Sequence, residues 1–164
     1  MPKKYRVNGF VRFNNAAMRA MLRAGVKFGT FATLTVPGRK TGRPISTPLV
    51  VFTYNHHRYL VASYGVVNWV RNLRAAAGKA TLSRGKHTEQ ITATELPPDE
   101  AAEIMRYSLH HGPPGIPAPI VRVYRRFSVL PYLEVDLDSP PEEFRRAAPK
   151  HPVFLVEPRL HRTT

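Results

Sequence analysis

Phe31-Ala32-Thr33-Leu34-Thr35-Val36-Pro37-Gly38-Arg39-Lys40-Thr41-Gly42-Arg43-Pro44-Ile45-Ser46-Thr47-Pro48-Leu49-Val50-Val51-Phe52-Thr53-Tyr54 carries two strand signals around one turn signal. Ala32, Leu34 and Val36 alternate with Thr33 and Thr35, the period of a half-buried strand. Ile45 to Tyr54 predicts a second strand, and its unbroken apolar centre, Leu49 to Phe52, predicts burial on both faces. Pro48 has no N–H to give a ladder, so that strand needs a bulge or an edge position. Between the two strands, Gly38 and Gly42 allow a tight turn, and its exposed N–H groups form a nest for an anion. Arg39, Lys40 and Arg43 add charge there and Thr41 adds a hydroxyl. The spacing is not that of a Walker A loop.

Beyond this hairpin the chain continues in short elements. Asn55, His56 and His57 turn into a strand over Arg58 to Ser63, and a short helix covers Trp69 to Ala77 with Asn68 as its N-cap. Lys79 to Arg84 and Lys86 to Leu96 form a hairpin around Gly85. Pro97 and Pro98 open a helix that runs to His110, with Asp99, Glu100 and Glu103 early and His110 and His111 at its end, an order that suits the helix dipole. Gly112 to Pro119, rich in proline and glycine, is a loop or lid. Leu133, Val135 and Leu137 alternate with acidic residues as in a half-exposed strand, and Pro152 to Val156 is a final strand. On the N-terminal side, Tyr5 to Lys27 predicts an amphipathic helix with Phe10, Val11, Met18, Met21 and Leu22 on its apolar stripe. About six or seven short strands in sequential hairpins point to an antiparallel barrel of mainly β (α+β) class.

Charge is distributed unevenly. Residues 1–88 hold 16 Lys and Arg and no carboxylate, whereas residues 89–164 hold 9 basic and all 11 acidic residues. The cations of the first half therefore need solvent, the acidic second half, or an anionic partner: a phosphorylated cofactor, a nucleic acid or an anionic membrane. Seven basic residues in the first 27 give the N-terminal helix the character of a membrane-surface helix, or of one that packs on the barrel. The chain has no cysteine, so disulfide frameworks and thiolate chemistry are excluded. No apolar run approaches the ~20 residues of a bilayer span, and arginines interrupt every candidate signal sequence. Neither His56-His57 nor His110-His111 suits a metal, because adjacent residues rarely point at one ion. No recognition-helix pattern points to specific nucleic-acid binding.

A second stretch, Ser63-Tyr64-Gly65-Val66-Val67-Asn68-Trp69-Val70-Arg71-Asn72-Leu73-Arg74, runs from a strand end into a helix N-terminus, whose free N–H groups suit an anionic or carbonyl-rich ring. With the pattern Leu34-Thr35 through Gly38-Arg39-Lys40-Thr41-Gly42 and Pro44, then Thr47-Pro48-Leu49, Val61-Ala62-Ser63 and Trp69 to Ala75, the chain resembles the nitroreductase-like, deazaflavin (coenzyme F420)-dependent oxidoreductases of the FMN-binding split-barrel superfamily. The resemblance covers roughly residues 8–157, and Pro152-Val153-Phe154-Leu155 resembles the family's last strand.

The resemblance implies a six-stranded antiparallel split β-barrel over residues 29–157, with the N-terminal helix at 1–28, a tail at 158–164 and a few peripheral helices, all one domain. It implies a reduced deazaflavin as hydride donor, an anionic coenzyme with a phosphodiester and a glutamate tail. Arg39, Lys40 and Thr41 would grip the phosphate and tail, with Gly42 and Arg43 in the same loop. Ser46, Thr47 and Pro48 would line the approach. Ala62, Ser63 and Gly65 would meet the ring through the backbone, and Trp69 and Asn72 would close that wall. Ile45 stands where the family often has a basic residue, so Arg43 would compensate.

The reaction expected is hydride transfer to a conjugated acceptor such as a quinone, a nitroaromatic or a lipidic enone. The cofactor carries the hard chemistry and the protein orients and excludes water. A proton donor completes the reduction. Tyr64 is the first candidate, with Ser63 beside it and Tyr107, Tyr124 and Tyr132 behind. The alternatives are FMN or another flavin or tetrapyrrole-like ligand on the same barrel, or a basic nucleic-acid-binding module. The expected location is the cytoplasm, or peripherally the inner face of the plasma membrane. Monomer and homodimer are both compatible with the sequence.

Overall fold

The computed structural model describes residues 31–113 and 115–160. The N-terminal helix expected at 1–28 lies outside the described residues. The hairpin that opens the fold consists of β1 (Phe31–Pro37) and β2 (Pro44–Val50), paired antiparallel from Phe31 opposite Val50 to Pro37 opposite Pro44. The alternation of β1 is realised: Ala32, Leu34 and Val36 are buried in the barrel interior. β3 (Phe52–Tyr54) and β4 (His57–Val61) form the next hairpin, and Asn55 and His56 both take positive φ in its two-residue turn. β5 (Lys79–Arg84) and β6 (His87–Glu95) form the third, turning at Gly85, and β7 (Val153–Pro158) closes the set.

All seven strands lie in one antiparallel sheet with the order β2-β1-β5-β6-β7-β4-β3. The count is seven and not the expected six. The single strand read over Ile45 to Tyr54 is broken at Val51, so its first part pairs with β1 and its second with β4. β2 and β3 are thus the two edges of the sheet and are also consecutive in the chain. The bend at buried Val51 curls the sheet into a barrel. Pro48 lies on edge strand β2, where its missing N–H costs no ladder bond.

Among the described residues, four α-helices accompany the sheet. α1 (Asn68–Ala75) follows β4 and plugs the barrel with Val70 and Leu73, which pack with Leu34, Leu60, Ile91 and Phe154. α2 (Pro98–His111), α3 (Ala118–Tyr124) and α4 (Pro141–Ala147) lie between β6 and β7. α3 runs on into a π-helical turn, Arg125–Val129. That segment falls partly within the Gly112–Pro119 stretch read as a loop and continues well past it. Each of α2, α3 and α4 carries a proline at its first or second position, where no N–H is needed.

A second core forms between α2, α4 and the outer face of the sheet, around Ile104, Met105, Leu109, Phe144 and Val153. Leu133 and Val135 are buried in it, but residues 131–140 form no strand. Their alternation records burial against helices and not a ladder. The last strand, expected at Pro152 to Val156, is shifted by about two residues at its far end and pairs with both β4 and β6.

Candidate active site

A cavity of about 800 Å³ opens where β2, β4, the N-terminus of α1, α2 and α3 converge. That is the size range of small-molecule and cofactor sites. Thr47 and Pro48 of β2 line one side, and Ala62, Ser63 and Tyr64 line the floor after β4. Val67, Trp69 and Arg71 contribute from α1 and its entry. Met105 and Leu109 close the back from α2, and Val121, Tyr124, Arg125 and Val129 form a roof. Gly112 has φ +65, and a Cβ there would collide with the Val121 side chain, so the roof helix seats directly on the end of α2.

The floor is held by backbone bonds. The Ala62 N–H donates to the Pro152 carbonyl at 2.9 Å, and the Gly65 N–H donates to the Ala62 carbonyl at 2.9 Å. Behind it, buried His151 has its Nδ1 3.2 Å from the same Ala62 carbonyl. Burial holds the His151 imidazole below its ordinary pKa, against the opposing pull of the Ala62 hydrogen bond and Glu134. Its neutral N–H therefore pins the segment that carries Ser63 and Tyr64.

At the mouth, the Tyr64 and Tyr124 hydroxyls lie 3.3 Å apart, and Tyr132 packs edge-on against Tyr64 at 5.1 Å between ring centroids. Trp69 packs on Phe154 at 5.8 Å, so it serves core and cavity wall together. The N-cap of α1 is Val67, not Asn68, and no side chain caps the helix. Asn68 is the first helical residue, and its Oδ1 accepts a 3.4 Å bond from Arg39. The first-turn N–H groups of α1 are thus left without a side-chain acceptor beside the cavity.

The basic loop is divided by the structure. Gly42 takes φ +72 and donates its N–H to the Gly38 carbonyl, closing the turn. Arg39 points back at α1: its backbone N–H and its Nη1 donate to Oδ1 of buried Asn72 at 3.2 and 2.8 Å. Arg39 and Gly42 border a separate cavity of about 620 Å³ on the far side of the loop. Lys40, Thr41 and Arg43 are exposed, and the Thr41 hydroxyl accepts from the Arg43 N–H at 3.3 Å. Ser46 bonds the Thr35 hydroxyl at 2.9 Å.

The acidic half of the chain neutralises only part of the basic half. Glu89 pairs with Arg58 and Glu95 with Arg74. Lys40, Arg43 and Arg71 have no carboxylate partner among the described residues. Of the residues expected from sequence, Thr47, Pro48, Ala62, Ser63, Tyr64 and Trp69 line the main cavity. Arg39 and Asn72 act as the brace behind it. Sequence reasoning did not find Arg71, Arg125 or the apolar back and roof. Met105, Leu109 and Val121 are ordinary core residues in pattern, and only the tertiary arrangement turns them toward a cavity.

The family model of the F420H(2)-dependent quinone reductases matches residues 10–115. The chain belongs to this family. It is a deazaflavin-dependent oxidoreductase that uses reduced coenzyme F420. Among solved structures, one described as an F420-H2 dependent reductase (FDR-A) is 21% identical, over 78% of this chain and 94% of that chain, with a TM-score of 0.46. Another, described as a domain-swapped dimer, is 20% identical over 90% of this chain and 97% of that chain, with a TM-score of 0.50, a likeness of fold. No curated protein matches. The cavity fits the family's coenzyme: apolar side chains on its walls, an uncapped helix N-terminus, and Arg71 and Arg125, which have no carboxylate partner among the described residues, suit a flat ring with an anionic tail. Among the described residues no helix is long and apolar enough to cross a membrane.

Proposed function

We propose that this F420H2-dependent reductase holds its coenzyme in the 800 Å³ cavity and reduces a lipophilic quinone under the α3 roof. The observation that carries the reading is the polarity of that cavity. Its back is lined by Met105 and Leu109, while Arg71 and the uncapped α1 N-terminus bring positive potential to one wall and Arg125 brings it to the roof. Lys40, Thr41, Arg43 and Arg71 would hold the phosphodiester and tail, with Arg39 keeping the loop in place. Ala62 and Ser63 would face the ring from the cavity floor, which Gly65 holds through its bond to the Ala62 carbonyl; Trp69 would bound the ring, and Thr47 and Pro48 would line its approach.

When bound, the reduced coenzyme supplies a hydride. Reduction of a quinone to a hydroquinone takes that hydride and one proton. Tyr64, whose hydroxyl lies 3.3 Å from that of Tyr124, would give the proton to the quinone oxygen. Tyr124 is 40% exposed, so the pair can be reprotonated from solvent. Ser63 lies beside Tyr64 on the same floor. A nitroaromatic acceptor would use the same site. The basic first 27 residues support peripheral attachment to an anionic membrane at the inner face of the plasma membrane, where lipophilic quinones reside.

Coenzyme fluorescence titration combined with single-turnover quinone reduction tests the reading. Lys40→Ala and Arg71→Gln should weaken coenzyme binding about tenfold each. Tyr64→Phe should slow the reductive step by about 100-fold while leaving coenzyme affinity unchanged. Unchanged affinity in both cation variants would remove the site from this cavity.

A further inference from the structure

The roof of the cavity has a second face. In α3 and the π-helical turn that extends it, Val121, Arg125 and Val129 look inward. Ile120, Val123 and Phe127 recur at helical spacing on the outward side, with Tyr124 between the two faces. They are large hydrophobic side chains left in the open: Ile120 is 58% exposed, Val123 60% and Phe127 70%. Arg122 and Arg126 flank them, and the Arg126 guanidinium carbon lies 6.0 Å from the centre of the Phe127 ring. Between Glu103 and Glu134 the chain has no carboxylate, and neither Arg122 nor Arg126 has an ion-pair partner among the described residues.

An exposed apolar stripe bordered by cations is the composition of a helix that lies in a lipid interface. Burying it in water-soluble surroundings would waste it, and monomeric soluble proteins rarely expose such a stripe without a use for it. We propose that α3 and its π-helical extension form a docking face for an anionic lipid surface, with Ile120, Val123 and Phe127 entering the acyl boundary and Arg122 and Arg126 meeting lipid phosphates. This inference rests on the quinone-reductase reading of the cavity. The same helix roofs that cavity, and Tyr124 belongs to both stripe and lining. Docking would therefore present the cavity mouth to the bilayer, and a lipophilic quinone could pass from membrane to site without crossing water. The basic N-terminal segment, remote from this helix in sequence, would supply a second anchor. Two weak anchors together give stable attachment where one alone is reversible.

The absence of cysteine makes the test direct, since one introduced thiol is the only labelling site. Full-length Phe127→Cys and, as control, Lys86→Cys in the distant β5–β6 turn would each carry an environment-sensitive fluorophore. They would be mixed with vesicles of phosphatidylglycerol and phosphatidylcholine, or of phosphatidylcholine alone. The expected result is a blue shift and a rise of about threefold or more at position 127 with anionic vesicles, lost in high salt, and no change at position 86. Ile120→Ser combined with Phe127→Ser should reduce vesicle cosedimentation about tenfold and leave reduction of a water-soluble quinone unaltered. Vesicle binding with no signal at position 127 would overturn the proposal and assign attachment to another surface. So would a blue-shifted probe before vesicles are added, which would mean that a second copy or another part of the chain already covers the stripe. Preferential response to a nucleic-acid duplex would overturn it likewise. Loss of soluble-quinone reduction in the unmodified protein would instead count against the function of the cavity, independently of the docking face.

Discussion

Arg39 gives two hydrogen bonds to one oxygen: its backbone N–H and its Nη1 both reach Oδ1 of Asn72, at 3.2 and 2.8 Å, across 33 residues of sequence. Asn72 is 2% exposed, so that oxygen has no water to fall back on. The pair clamps the basic loop to the first turns of α1. Asn72→Ala should cost about 1–3 kcal/mol, because the removed acceptor leaves a donor unsatisfied in a partly buried place. Coenzyme affinity should fall with it, although Asn72 does not line the main cavity. Chemical denaturation and a fluorescence titration of the same variant check both effects. Arg39→Lys should reproduce the affinity loss, since an ammonium on a flexible stem does not reproduce the guanidinium contacts to Asn72 and Asn68.

Gly112 sits where the end of α2 meets the roof, at φ +65 and against the Val121 side chain. Gly112→Ala should push α3 outward and strain the backbone. We expect a loss of about 1–3 kcal/mol in stability and a larger fractional loss in quinone turnover than in coenzyme binding. The comparison of KM for a quinone with the coenzyme Kd in this variant separates roof from floor.

His151 is 4% exposed, and burial lowers its pKa from the ordinary 6.5. In the unfolded chain the imidazole takes up a proton as pH falls through about 6.5, while in the folded protein it stays neutral to lower pH. The unfolded state then binds more protons, so stability falls as pH drops below 6.5 until the lowered folded value is reached. Denaturation midpoints between about pH 7.5 and 5 should show this slope, and His151→Asn should flatten it. Because the ring in the folded protein stays neutral over this range, its support of the Ala62 carbonyl should persist, and catalytic rates should not follow the stability slope.

Glu89 and Arg58 tie β6 to β4, with side chains 23% and 29% exposed. The guanidinium holds the Glu89 carboxyl below its ordinary 4.5. A depressed carboxylate contributes stability above the unfolded pKa and loses it as pH falls through the folded value. Arg58→Gln should therefore lower stability by about 1 kcal/mol near neutral pH. The difference from the parent protein should shrink as pH falls below the ordinary 4.5 and through the lowered folded value, where Glu89 becomes protonated in both forms. Urea melts of the two proteins at neutral and acid pH check the sign.

How legible the molecule was depended on how local each cause is. The alternation of Ala32, Leu34 and Val36, the Asn55-His56 turn and the hairpin at Gly85 are properties of adjacent residues, and each appears where its pattern predicts. Leu133 and Val135 mislead for the same reason. Period-two burial also arises when an irregular segment lies against helices, as it does here against α2 and α4. The break at Val51 is invisible in a run of apolar residues, because it follows from joining two edges of one sheet.

Composition by itself determined that the first 88 residues carry cations they cannot pair among themselves, leaving solvent, the acidic second half or an anionic partner to balance them. The loop and strand–helix motifs determined which kind of partner, through the family they resemble. Only the tertiary structure decided which cations are left for it. Arg58 and Arg74 are taken by carboxylates from β6, Arg39 is taken by Asn72, and Arg71 is left lining the cavity. Charge is additive along a sequence, but pairing depends on distances of a few ångströms between residues far apart in the chain. Those distances exist only once the sheet has closed.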